Sequence, residues 1–182
     1  AEIFQVSERN CKTEMLGLEE LVPAEKVYLE KLFEKRGRLG VPTGFRDLDK
    51  KTGGFQPGDL IILAARPSMG KSALAMNIAY RAAQAGNSVA FFSLEMSTSQ
   101  LLWRLFSSAC SIPLENIRFA KMTPDEWLKL ETMGSTLGDL PIHIDPSPMP
   151  TTFEIRGLCR RLKARKGLNL VVVDYLQLMG GT

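Results

Sequence analysis

A chain of 182 residues, 45% hydrophobic and 24% charged, is long enough to bury one sizeable core. Its formal net charge of +3 excludes a strongly basic arm and says little by itself about nucleic acid. Cys11, Cys110 and Cys159 are odd in number and far apart, and His143 is the single histidine, which excludes a CxxC pair or a Cys/His metal cluster.

Reduced thiols in an intracellular protein are the expectation. No apolar run approaches membrane-spanning length, and the acidic start Ala1-Glu-Ile-Phe4 does not read as a signal peptide. Residues 1–10 read as a helix offering Ile3, Phe4 and Val6 as apolar contacts. An isolated helix needs about 12–15 residues to persist in water, so this one must dock on its own domain or on another chain. Cys11 to Thr13 read as a connector. Pro23 then introduces a helix over 24–36, with Val27, Tyr28, Leu29, Leu32 and Phe33 as an apolar stripe opposite Glu and Lys. Gly37 and Gly40 end it. The stripe suits either packing on the chain's own core or a spacer toward something N-terminal, and periodicity does not separate the two.

The stretch 41–58 is turn-rich, with a short helix expected at 45–51. It delivers the chain to Leu60-Ile-Ile-Leu-Ala-Ala65, expected to be the first core strand. A tight turn carrying Gly70-Lys71-Ser72 follows, then a helix expected to run to about Ala85, where Gly86-Asn87 stops it. Strand, Gly-Lys-Ser turn and helix form the context of a nucleotide-phosphate loop. Its candidate residues are Ala65, Arg66, Pro67, Ser68, Met69, Gly70, Lys71, Ser72 and Ala73. Free N–H groups in the turn and at the helix start make a donor surface, and the helix dipole adds positive charge at the same spot. Lys71 suits the terminal phosphates, and the Ser72 hydroxyl suits a magnesium shell. Ala65 stands where such loops commonly carry glycine, and Pro67 removes one donor.

Ser88 to Leu94 is a second buried strand, ending in Glu95. A helix from about Ser97 to Cys110 follows, and Pro113 starts a short one. Thr123-Pro124-Asp125-Glu126 is a helix start with hydroxyl cap, proline and returning Glu. Leu140 to Ile144 is a third strand, and Asp145 to Pro150 a stiff loop. Thr151 to Glu154 is another capping box, opening a helix that turns Ile155, Leu158, Cys159 and Leu162 inward. Leu168 to Val173 is a fourth strand, apolar as if covered on both faces, and it ends in Asp174. Alternating strands and helices imply an α/β fold with a mostly parallel sheet and helices on both faces.

The phosphate loop, Glu95 and Asp174 all fall at carboxyl ends of strands, the edge where open parallel sheets bind ligands. Asp174 suits a magnesium partner, the competing use being a cap for the next segment. Glu95 suits a general base for an attacking water, the competing use being a carboxylate favoured by the helix start near Ser97. Arg156, Arg160 and Lys163, flanked by Arg161, Arg165 and Lys166, could track phosphates, but without interleaved aromatics a solvated face is favoured. Phe91, Phe92 and Trp103 read as core.

Four strings in order, at 41–49, 64–72, 92–97 and 173–178, resemble the DnaB-type replicative DNA helicases over nearly the whole chain. The resemblance implies a RecA-like P-loop ATPase core that uses ATP and Mg2+ and works as a hexameric ring around single-stranded DNA. It implies Lys71 and Ser72 on phosphate and magnesium, Glu95 activating water, and Asp174 assisting the metal; Ala65 matches the family's own loop. Residues 1–13 resemble a linker helix docking on a neighbouring subunit, with 14–40 a helical spacer and 41–182 the core. Primase and a helicase loader are the implied partners, no membrane is involved, and the implied setting is the cytoplasmic nucleoid. The family's DNA-contacting loops and trans-acting arginine come later than Asp174. The chain alone is therefore expected to bind ATP, hydrolyse it feebly and unwind nothing. Two other uses of the same residues are a recombinase or clock-type RecA-like ATPase, and an assembly module cemented by nucleotide.

Overall fold

The computed structural model describes residues 17–34, 40–147 and 149–175. The helix expected over 1–10 and the connector 11–13 lie outside them. The chain divides into two units, Ala1–Leu39 and Gly40–Thr182.

In the first unit, helix α1 spans Leu18–Glu34 and therefore starts ahead of Pro23, which sits inside it. Pro23 forfeits the bond its missing N–H would make a turn back, and its ring crowds the carbonyl of Glu19. Glu19 and Glu20 in the first turn meet the positive end of the helix, and the Gly17 carbonyl accepts from Glu20 and Leu21 N–H groups. Those contacts offset part of the proline's cost, and the helix extends through it.

The second unit opens with a knot. Val41 and Phe55 exchange two backbone hydrogen bonds of 2.8 Å in an antiparallel bridge around helix α2, Arg46–Thr52. Inside it Thr43 is fully buried and donates from N–H and hydroxyl to the Asp49 carboxylate at 2.8 and 2.7 Å. Gly44 adds an N–H at 3.2 Å. Gly44 has φ of 80°, and a Cβ built there would lie 2.4 Å from Arg81 Cγ, so this turn presses closely on the next helix.

That helix is α3, Lys71–Gln84. It ends near where Gly86-Asn87 was expected to stop it, with Gly86 at φ 84° and the Asn87 N–H bonded to the Ala82 carbonyl. Then come β1 (Val89–Ser93), α4 (Thr98–Cys110), α5 (Leu114–Arg118), α6 (Pro124–Gly138), β2 (Ile142–Asp145), α7 (Thr152–Lys166) and β3 (Leu170–Asp174). Ser97 with Gln100, Thr123 with Glu126, and Thr151 with Glu154 form complete capping boxes, which fixes where α4, α6 and α7 begin.

The three strands are parallel in the order β2-β1-β3. β1 is buried along its length because, among the described strands, it alone has a neighbour on each side. Val89 and Phe91 stand in rows with Ile142 and Ile144 on one side and Leu170 and Val172 on the other. Against that face pack Met76, Ala79, Tyr80 and Ala83 of α3, with Leu101 and Leu105 of α4. Parallel register brings the carboxyl ends together, with Ser93 opposite Asp174 and Phe92 opposite Asp145. The parallel sheet with helices packed on it is the α/β architecture that the alternating elements implied.

Two further expectations fail. The run 60–65 is not a strand: it has no regular structure, and Leu60 is 84% exposed. Apolar composition makes a strand only where a neighbour supplies ladder bonds, and among the described residues the strands pair only with one another. β3 is also not covered on both faces, since Val171 is 42% exposed. β3 pairs with β1 alone among the described residues, so it lies at an edge of the described sheet. Among the described residues no helix is long and apolar enough to cross a membrane.

Candidate nucleotide site

The loop 65–70 is exposed and closes on one backbone bond, Met69 N–H to the Arg66 carbonyl at 3.2 Å. Ser68 and Gly70 take left-handed φ values of 65° and 86°. At Gly70 a Cβ would meet nothing within 4 Å, so backbone conformation rather than space selects glycine there. Gly70 is also the N-cap of α3 and has no side chain to cap it. The first helical bond runs from the Leu74 N–H to the Gly70 carbonyl, so the N–H groups of Lys71, Ser72 and Ala73 have no partner among the described residues. Three free donors at the positive end of a helix dipole make a local anion-binding surface.

Lys71, the first residue of that helix, sends its side chain to the rim of the sheet. Nζ lies 2.9 Å from Asp174 Oδ1 and 3.9 Å from Glu95 Oε2. Asp174 reaches this point as the last residue of β3, and the Leu94 N–H donates to its carbonyl at 2.8 Å, extending the ladder one step past β1. The Ser93 hydroxyl donates to the Met96 carbonyl at 2.8 Å and turns the chain after β1, which carries Glu95 over the rim. Asp174 is 3% exposed, and its Oδ2 has no hydrogen-bond partner. A buried carboxylate oxygen without a donor is costly to maintain, and a bound cation relieves that cost.

The structure thus brings together Lys71, Glu95 and Asp174, which lie far apart in the chain. Ser72 sits half-buried at the helix start, and 65–69 remain on the exposed loop. Tyr175 was missed: its ring centroid lies 4.1 Å from Lys71 Nζ. Its position directly after a strand-ending acid was the available signal. Asp145 also ends a strand on this rim, but its Oδ1 accepts from the Ser147 hydroxyl at 3.2 Å instead of joining the cluster. Among the described residues no group of three His, Cys, Asp or Glu side chains is placed to hold a metal unaided. On α7, Arg156, Arg160 and Lys163 with Arg161, Arg165 and Lys166 are exposed and form no ion pair among the described residues.

Comparison with known proteins identifies the family. The model of the DnaB-like helicase C terminal domain matches residues 40–182. The replicative DNA helicase DnaB of Geobacillus stearothermophilus is 42% identical over 182 residues, covering 99% of this chain and 40% of that protein's length. The chain therefore spans well under half of that relative. Among solved structures, the ATPase domain of G40P superposes with a TM-score of 0.83 at 30% identity, covering 92% of this chain and 60% of that one. A DnaB-like replicative helicase studied with primase gives 0.80 at 31% identity, covering 93% and 41%. Sequence and fold agree over nearly the whole chain: it belongs to the DnaB-like helicase C-terminal domain family.

Proposed function

We propose that this chain is the ATPase part of a replicative DNA helicase, in which ATP hydrolysis moves a hexameric ring along single-stranded DNA and parts the duplex at the fork. The observation that supports this best is the meeting of Lys71, Asp174 and Glu95 beside the unpartnered N–H groups opening α3. The residues present fit a magnesium nucleotide, because the donor surface suits phosphate and the orphaned Asp174 Oδ2 suits a cation. Bound ATP with Mg2+ supplies the phosphoanhydride bond whose cleavage powers movement.

In this reading the loop 65–73 cradles the phosphates, with the free backbone N–H groups of Lys71, Ser72 and Ala73 as donors, and Lys71 adds a positive charge. The Ser72 hydroxyl and the Asp174 carboxylate hold the metal. Glu95, whose side chain is half exposed, orients water and accepts its proton. Residues 1–13 act as the linker helix on a neighbouring subunit, 14–40 as a spacer, and 41–182 as the core. The exposed apolar residues Val27, Leu29 and Phe33 of α1 support a spacer that meets other surfaces. Primase and a loader complete the set of partners at the nucleoid, and the relative studied with primase supports the first of these.

The test is Glu95→Gln in the assembled protein. Nucleotide affinity should stay within about twofold while turnover falls by about 10²–10⁴, the usual worth of a general base. Parent-like turnover in that variant would remove Glu95 from the chemistry.

A further inference from the structure

Lys71 is held on three sides by groups of the strand rim: the Asp174 carboxylate at 2.9 Å, the Glu95 carboxylate at 3.9 Å and the Tyr175 ring at 4.1 Å. The two carboxylates already have work in the proposed nucleotide chemistry, whereas the ring has none. Any role for the ring at this site rests on that nucleotide reading.

We propose that Tyr175 is a further residue of the nucleotide site, one that clasps the Lys71 ammonium against Asp174 and so lowers affinity for magnesium nucleotide. The physics is that of an interaction made in only one state. A cation over a tyrosine face is attracted by the ring quadrupole, and the attraction strengthens as water is excluded. Here the lysine side chain is 24% exposed and Tyr175 is half-buried, so the contact is partly desolvated. To serve a phosphate, the ammonium must move toward the loop and its free N–H groups, away from Asp174 and Tyr175. Whatever the ring contributes to the clasped state opposes that move, because a ligand gains only from its differential interaction with the two states. The clasp also occupies Asp174 Oδ1 with the ammonium, which keeps the carboxylate compensated while no cation is bound. Asp174 and Glu95 are needed for the reaction and cannot be removed without losing it. Tyr175 is the part of the clasp whose strength is free to vary.

The experiment measures affinity of the chain for a fluorescent ATP analogue with Mg2+, in parallel for Tyr175→Leu and Tyr175→Phe. Tyr175→Leu should bind about two- to fivefold more tightly, the range set by a partly desolvated cation–ring contact. Tyr175→Phe keeps the ring and should restore the parent affinity. Unchanged or weaker binding in Tyr175→Leu, or a Phe variant that matches Leu, overturns the clasp while the nucleotide reading stands. A parent chain that binds no nucleotide overturns both. A measurement on the unsubstituted chain guards against a variant that fails to fold. Ring-current shifts of the Lys71 ε-methylene protons in the free chain should collapse on saturation with the analogue and Mg2+. Persistence of those shifts in the saturated chain overturns the proposal.

Discussion

Asp49→Ala should destabilise the second unit through a residue it does not itself bury. Its carboxylate accepts from the Thr43 N–H at 2.8 Å, the Thr43 hydroxyl at 2.7 Å and the Gly44 N–H at 3.2 Å. Gly44 is exposed, so its N–H finds water after truncation and adds little. Thr43 is at 0% exposure and loses its acceptor for two donors. Each buried unsatisfied donor costs about 1–3 kcal/mol, and water entering the space left at half-buried position 49 pulls both toward the low end, for about 2–4 kcal/mol together. Asp49→Asn keeps an oxygen for both Thr43 donors but turns an NH2 toward Gly44, so it should cost only about 1 kcal/mol. Urea unfolding followed by tryptophan fluorescence separates these, with midpoints shifting at constant slope. An Asp49→Ala midpoint within about 0.5 kcal/mol of the parent, the ordinary surface range, would refute the reasoning. So would equal costs for Ala and Asn.

Gly44→Ala should cost about 2–4 kcal/mol, combining a left-handed φ of 80° with a clash at the base of Arg81; Gly58→Ala, at φ 90° with open space, should cost only about 1–2 by the same melts. Lys71→Ala should weaken magnesium-ATP binding by about 10–100-fold in a calorimetric titration, the worth of a charge-assisted hydrogen bond. Burial, helped by Lys166, holds His143 below its ordinary value of 6.5. As pH falls the unfolded chain takes up that proton first, so stability should decline through about pH 6.5 and level off below the folded value; His143→Leu should abolish this slope in urea midpoints measured from pH 5 to 8. Hydrogen bonds from the Thr151 N–H and hydroxyl depress the Glu154 carboxyl from 4.5. Its stabilising contribution is complete above that pH and lost as pH falls through the folded value. Glu154→Gln should flatten that acid limb.

Much of the frame was legible because it rests on local chemistry. Two capping boxes announced α6 and α7 through hydroxyl and returning side chain, each within four residues of sequence, and the box of Ser97 with Gln100 that opens α4 was seen only in the structure. Gly86 marked the end of α3 because a left-handed residue is needed there. Apolar runs that gain partners, 89–93 and 170–174, became strands, and the acids ending or following them reached the rim. Pro23 misled because a proline suits the first turn of a helix, whereas here the first turn, with Glu19 and Glu20, lies ahead of it.

The sequence by itself determined the local pieces: the Gly70-Lys71-Ser72 turn, the caps, and the acids at strand ends. Only the tertiary structure decided which pieces meet. The parallel register of β1 with β3 sets Ser93 opposite Asp174 and so brings Glu95, Asp174 and Tyr175 within reach of the Lys71 ammonium. It also decided that 60–65, apolar as it is, forms no strand among the described residues, whereas 89–93 does. The reason is that caps and turns are satisfied within a few residues, whereas a ladder bond or an ion pair across 103 positions exists only once the chain has closed on itself (174 − 71 = 103).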